Sequence, residues 1–169
     1  MMVFGRKKEA DSDPHAWERQ DPPLPPQESS FRVPTDIAWD SKGNIYITDG
    51  YVNSRVAKFN KDGDYVKSWG EYGTADGQFR LPHSIAIDKN DNVYVGDRSN
   101  HRVQVFNTDG KFLRKFQIDV PPDMTTKATN GNTPTGAALT AAIGAPNSLC
   151  IPPDNPNVMF LRSEEHTSE

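Results

Sequence analysis

Phe31-Arg32-Val33-Pro34-Thr35-Asp36-Ile37-Ala38-Trp39-Asp40 returns 48 residues later as Phe79-Arg80-Leu81-Pro82-His83-Ser84-Ile85-Ala86-Ile87-Asp88. The match continues through Asn44-Ile45-Tyr46-Ile47-Thr48-Asp49 against Asn92-Val93-Tyr94-Val95-Gly96-Asp97. The register then slips by one, so Asn53-Ser54-Arg55 meets Asn100-His101-Arg102, and Phe59-Asn60-Lys61-Asp62-Gly63 meets Phe106-Asn107-Thr108-Asp109-Gly110. Each copy reads as four short strands, near 35–40, 44–49, 55–60 and 65–69, then near 83–88, 92–97, 102–107 and 112–117. Ile45, Tyr46, Ile47 and Thr48 suit a pleated surface because branched and aromatic side chains pack well there. Ser41-Lys42-Gly43-Asn44 and Lys89-Asn90-Asp91-Asn92 read as turns. Asp62-Gly63 and Asp109-Gly110 supply the positive φ angles that tight hairpins require. A period of this size made of strands marks a β-propeller blade, one small sheet repeated around an axis. The fold class is therefore all-β: a partial propeller with two complete four-stranded blades. Blades stack face to face, which makes Ile37, Ile47, Val56, Ile85, Val95, Val103 and Val105 core candidates.

The organisation follows from the repeats. Residues 31–78 form one blade and 79–117 the next. Residues 145–161 begin a third, because Ala145-Pro146-Asn147-Ser148-Leu149-Cys150-Ile151 aligns with Leu81 to Ile87. Residues 1–30 hold a short apolar run, Val3-Phe4-Gly5, read as the outer strand of a preceding blade, followed by a proline-rich connection. That makes fragments of two further blades. Residues 118–144 read as a long inter-blade loop rich in Thr, Asn, Gly and Ala, either functional or mobile. The repeat pattern breaks at Arg162-Ser163-Glu164-Glu165-His166-Thr167-Ser168-Glu169. Residues 162–169 resemble the in-frame translation of a sequencing adapter, the alternative being a natural acidic tail, and are set aside from fold reasoning. Propellers carry about 4–8 blades. The expectation is thus an internal fragment of a closed array, inactive and marginally stable alone.

Composition narrows the function. The 169 residues carry a formal charge of −4, and the basic run Arg6-Lys7-Lys8 is followed at once by acids. No basic face for nucleic acid is expected. No apolar run approaches the roughly 18 residues of a membrane span. Cys150 is the single cysteine, so no disulfide framework is possible, and its place in an inner strand suggests a small buried thiol.

Three positions carry chemistry. Pro82-His83 opens the innermost strand of the second copy, where the first has Pro34-Thr35 and the third Pro146-Asn147. Radial repetition points such positions at a common centre, and neutral imidazole suits zinc. The plain alternative is a channel-lining histidine bonded to water or backbone. Tyr51 stands in a loop one residue longer than its counterpart. Beside a metal it can act as a base, or it can simply pack on a blade edge. Arg98 directly follows the second strand of its copy. Its fork suits a carboxylate, or it pairs with Asp97 or a neighbouring acid. Arg55 and Arg102 recur in both copies, as do Asp49 and Asp97, and recurrence assigns them to blade architecture. His101 and His15 sit in polar loops, read as solvated.

Pro34-Thr35-Asp36-Ile37-Ala38, Ser54-Arg55-Val56 and Arg102-Val103-Gln104-Val105-Phe106 resemble NHL repeats. The set Asp49-Gly50-Tyr51-Val52-Asn53-Ser54-Arg55, Gly77-Gln78-Phe79 with Pro82-His83-Ser84, and Asp97-Arg98 resembles the catalytic core of peptidyl-α-hydroxyglycine α-amidating lyase, over roughly residues 31–107. The resemblance implies a six-bladed propeller that cleaves a peptidyl-α-hydroxyglycine to a peptide amide and glyoxylate. It implies a zinc held by three histidines from different blades, and a calcium supporting the channel. His83 would be one zinc ligand, Tyr51 the base and Arg98 the group orienting the substrate carboxylate. It also implies a peptide-like or small-molecule ligand at the channel mouth, and a secreted or periplasmic setting. The third copy places Asn147 where His83 stands, so with one histidine no catalytic zinc is expected in this chain alone. The competing expectation is a non-catalytic NHL propeller that binds a protein, peptide or glycan at one mouth.

Overall fold

A computed structural model describes residues 31–118, 144–155 and 157–163. Blade 1 is an antiparallel meander of β1 (Asp36–Trp39), β2 (Ile45–Asp49), β3 (Arg55–Phe59) and β4 (Tyr65–Trp69). Blade 2 repeats it with β5 (Pro82–Ile87), β6 (Val93–Asp97), β7 (Arg102–Phe106) and β8 (Phe112–Gln117). A third sheet holds β9 (Pro146–Cys150) and β10 (Phe160–Ser163). The architecture is a β-propeller sector, and the strands lie within a residue or so of where the repeats place them. The notions about residues 1–30, the 119–143 stretch, His15 and His166 fall outside the described residues.

The turns are set by local chemistry. After β1, Asp40 Oδ1 accepts the backbone N–H groups of Lys42 and Asn44, each at 2.9 Å. Its Oδ2 accepts the Asn44 amide at 2.7 Å and the Tyr46 hydroxyl at 2.9 Å. Asp88 does the same in blade 2 with Asn90, Asn92 and Tyr94. Aspartate suits this place because its short carboxylate mimics a backbone turn.

Packing is by blade faces. Ala38, Tyr46 and Val56 of blade 1 meet Ile85, Val93, Val95 and Phe106 of blade 2, with Phe79 of the connection between them. The opposite face of blade 2, with Ala86, Tyr94, Val103 and Val105, meets Leu149 of the third sheet. Burying each of the larger apolar side chains among them contributes about 1.5–3 kcal/mol. Polar contacts fasten the inner strands as well: the Thr35 hydroxyl donates to the Pro82 carbonyl at 2.7 Å, and the Ile85 N–H donates to Asp36 Oδ2 at 3.0 Å.

Two sequence expectations need correction. Ile37 is 39% exposed, whereas the other core candidates are buried. It pairs with Ile47 on the face turned away from blade 2, and among the described residues no further sheet covers that face. Cys150 is exposed. It alternates with the buried Leu149 and pairs with the exposed Phe160, again on an uncovered face. The ladder of the third sheet continues past Leu161, since β10 runs through Arg162 and Ser163. Ladder pairing uses backbone groups and needs no particular side chain, and the register shifts between Arg162 and Ser163.

Candidate functional site

The five residues 50–54 between β2 and β3 lift Tyr51 to the surface, where it is 45% exposed. His83, half-buried, lies near the start of β5, at an irregularity in the pairing with β6 between Pro82 and Ser84. These two meet: Tyr51 Oη lies 3.4 Å from His83 Nε2, with ring centroids 5.9 Å apart and the planes at 72°. On its other side, His83 Nδ1 lies 2.9 Å from the Asn147 carbonyl oxygen. A carbonyl only accepts, so Nδ1 carries the proton and donates. That fixes the tautomer. In the neutral imidazole this leaves the Nε2 lone pair facing the Tyr51 hydroxyl.

Arg98 stands at the same mouth through its backbone. It opens a single 3-10 turn, Arg98–Asn100, and its N–H donates to the Leu81 carbonyl at 2.8 Å, beside the Pro82-His83 pair. The acid that follows β6 is engaged elsewhere. Asp97 Oδ2 accepts Arg102 Nε at 3.0 Å and the Asn100 amide at 2.7 Å, while Oδ1 accepts the Arg80 N–H at 2.9 Å. Blade 1 has the same cradle, with Asp49 accepting from Arg55, Asn53 and the Arg32 N–H. Both acids and both arginines are buried. The recurrent ion pairs serve both blades, and the residues that differ between the copies, Tyr51, His83 and the backbone of Arg98, lie near the start of β5.

Among the described residues, no group of three His, Cys, Asp or Glu side chains is placed to hold a metal ion. Zinc takes three or four protein ligands, and the mouth offers one imidazole nitrogen. Calcium asks for six to eight oxygens, yet the buried carboxylates of Asp40, Asp49, Asp88 and Asp97 already accept hydrogen bonds. The described residues alone therefore do not fit either ion.

Sequence reasoning missed the Asn147 carbonyl, having weighed only its side chain. The signal was present: Asn147 occupies the position of His83 in the next copy, and equivalent positions adjoin around the axis.

A family model described as NHL repeat matches residues 31–59 and 79–106. The chain carries NHL repeats. The chain is similar to the peptidylglycine alpha-amidating monooxygenase of Rattus norvegicus, 35% identical over 124 residues. That alignment covers 69% of this chain but 11% of the rat protein. It is also similar to a Caenorhabditis elegans protein named "Probable peptidyl-alpha-hydroxyglycine alpha-amidating lyase", 37% identical over 83 residues, covering 47% of this chain and 24% of that one. The chain thus matches only a minor part of the length of these relatives. A solved luciferin-regenerating enzyme superposes on this chain with a TM-score of 0.53 at 15% identity, covering 80% of this chain and 38% of that one. That last likeness is one of fold.

Proposed function

We propose that the mouth bearing Tyr51, His83 and Arg98 is one sector of a site for the hydroxyglycine end of a peptide, as in a peptidyl-α-hydroxyglycine α-amidating lyase. The observation that carries the reading is the oriented Tyr51–His83 pair, with the imidazole tautomer set by Asn147. Arg98 offers its fork to the terminal carboxylate. Tyr51 stands where a phenol oxygen can take the hydroxyl proton, and His83 Nε2 can relay it. The products are a peptide amide, whose nitrogen gains a proton as its bond to carbon breaks, and glyoxylate. Zinc ligation by His83 would require donors from outside the described residues. The 169-residue chain by itself is expected to bind and not to turn over.

The test is binding of a peptidyl-α-hydroxyglycine compared with the matching peptide amide, which lacks the carboxylate. The amide is expected to bind at least about tenfold more weakly, because a charge-assisted contact is missing. Arg98→Ala should erase that difference. Equal affinities in the unaltered chain overturn the proposal. That His83 is the single imidazole at the mouth among the described residues favours a second reading, a non-catalytic NHL propeller that holds a peptide at the same mouth. Glyoxylate release by the chain with added zinc would end that one.

A further inference from the structure

His83 lies near the start of β5 and Ile87 closes that strand, so the turns after β1, β5 and β9 gather at the mouth opposite the Tyr51–His83 pair. An open pocket of about 300 Å³ lies among them. Trp39, Ile87 and Ile151 hold the same place in the three copies and form its apolar wall. Ile87 and Ile151 are half-buried between sheets. Trp39 is 57% exposed, which leaves a large part of the indole to meet a partner.

The charged groups of the lining are Asp40, Asp88, Asp91 and Lys89. Asp40 and Asp88 are taken up by their own turns, since each of their carboxylate oxygens already accepts two hydrogen bonds. They supply negative charge but no spare lone pair. Asp91 differs. Its Oδ1 accepts the Ser41 N–H at 2.8 Å and its Oδ2 the Ser41 hydroxyl at 2.6 Å, so each oxygen can accept one donor more. Those two bonds also fix the carboxylate, which lowers the ordering cost of a further partner. Three carboxylates against one ammonium make the pocket negative on balance.

An aromatic face beside a fixed carboxylate, in a negative pocket, suits a flat cation with several donors. A guanidinium can stack on an indole while its N–H groups reach both oxygens of one carboxylate. We propose that this mouth binds an arginine side chain of a peptide or protein partner, stacked on Trp39 and paired with Asp91. The proposal does not rest on the reading of the opposite mouth.

The experiment titrates the full chain with three capped tripeptides, N-acetyl-Gly-X-Gly-amide, where X is arginine, lysine or citrulline. The caps remove the terminal charges. Citrulline keeps the shape of arginine and loses its charge. Affinity is read by calorimetry, and the Trp39 indole N–H resonance by NMR. Arginine is expected to move that resonance and to bind about tenfold more tightly than citrulline. Lysine should fall between them, because an ammonium neither stacks nor forks. Asp91→Asn should cost arginine about tenfold, with the fold kept, since asparagine tolerates the φ of 61° at this position. Trp39→Leu should weaken it severalfold, and Lys89→Gln should tighten it. Circular dichroism checks that each variant is folded. Equal affinity for arginine and citrulline overturns the site, as does unchanged affinity in folded Trp39→Leu or Asp91→Asn. Equal affinity for lysine overturns the assignment to arginine. Weaker binding by Lys89→Gln overturns it too, because the lysine would then be meeting an anion. Failure of the arginine peptide to bind or to move the Trp39 resonance overturns the proposal and leaves the Tyr51–His83 mouth untouched.

Discussion

Thr35 in blade 1 and His83 in blade 2 hold the same place in the repeat, and both reach sideways to the backbone of the next inner strand. The threonine hydroxyl donates to the Pro82 carbonyl at 2.7 Å and also contacts Thr48 Oγ1 at 2.8 Å. The imidazole reaches the Asn147 carbonyl at 2.9 Å with one nitrogen and turns the other to Tyr51. A one-headed anchor has been exchanged for a two-headed one, so the sector gains a chemically useful nitrogen and keeps its fastening. The same pattern recurs at the first turn. Gly43 and Asp91 both adopt positive φ, at 81° and 61°. Aspartate tolerates that region, if less readily than glycine. Its carboxylate then takes the Ser41 N–H at 2.8 Å and hydroxyl at 2.6 Å, tying the turns of the two blades together. Repeats of this kind diverge where they meet neighbours and agree where they hold themselves together.

The sharpest break in the comparison comes from the shared part. Removing one member of a buried ion pair leaves an uncompensated charge, which costs about 3–5 kcal/mol. Arg102→Met should cost that much in urea unfolding, because it strands Asp97 and releases the carbonyls of Thr74, Ala75 and Gln78. Arg55→Met should cost a comparable amount by stranding Asp49. A loss below about 1 kcal/mol in both would show that these pairs are not the framework of the blades.

Ile37 and Ile85 test the faces. They are equivalent by repeat, yet one is 39% exposed and the other 4%. Ile85→Ala should destabilise by about 2–5 kcal/mol, the range for emptying a packed site. Ile37→Ala should stay within about 1 kcal/mol, since a partly wet isoleucine loses less on truncation. Equal costs in the full chain would mean that the blade 1 face is covered in solution.

The blades were legible because their signals are local. Strand formers alternate with Asp-Gly and Asx turns, and a second copy calibrates the first. That Asp49, Asp97, Arg55 and Arg102 serve the blades was legible through recurrence; that they are buried and paired with one another was not. The exposure of Ile37 and Cys150 was not, because alternation says which side chains share a face and nothing about what covers that face. Tyr51 and His83 stood out as exceptions to the repeat, but their contact across 32 residues depends on how β2 and β5 pack. The Asn147 carbonyl was hidden for another reason: every residue has one, so no residue type announces it.

The smallest predicted effect concerns Asp40 and Asp88, where the two blades agree most closely. Burial pushes each carboxyl up, but the Asn44 amide, the Tyr46 hydroxyl and the Asn44 and Lys42 N–H groups outweigh it and hold Asp40 below the ordinary 3.8. Asp88 is held down in the same way, by the Asn92 amide, the Asn92 and Asn90 N–H groups and the Tyr94 hydroxyl. Burial and the Asp40 carboxylate together push the Tyr46 hydroxyl up, so it remains a donor. A carboxyl whose folded value is depressed contributes stability that is complete above the unfolded value and is lost as the pH falls through the folded one. Asp40→Asn and Asp88→Asn should therefore each flatten the decline of stability below pH 3.8, at a cost near neutrality of about 0.5–1.5 kcal/mol. Urea midpoints taken across the acid range supply the slope. Similar flattening is expected in the two single variants, and because the Ser41–Asp91 contact joins the two turns, the double should depart from additivity. A slope unchanged in both would mean that these carboxylates do not set the acid limit of the blades.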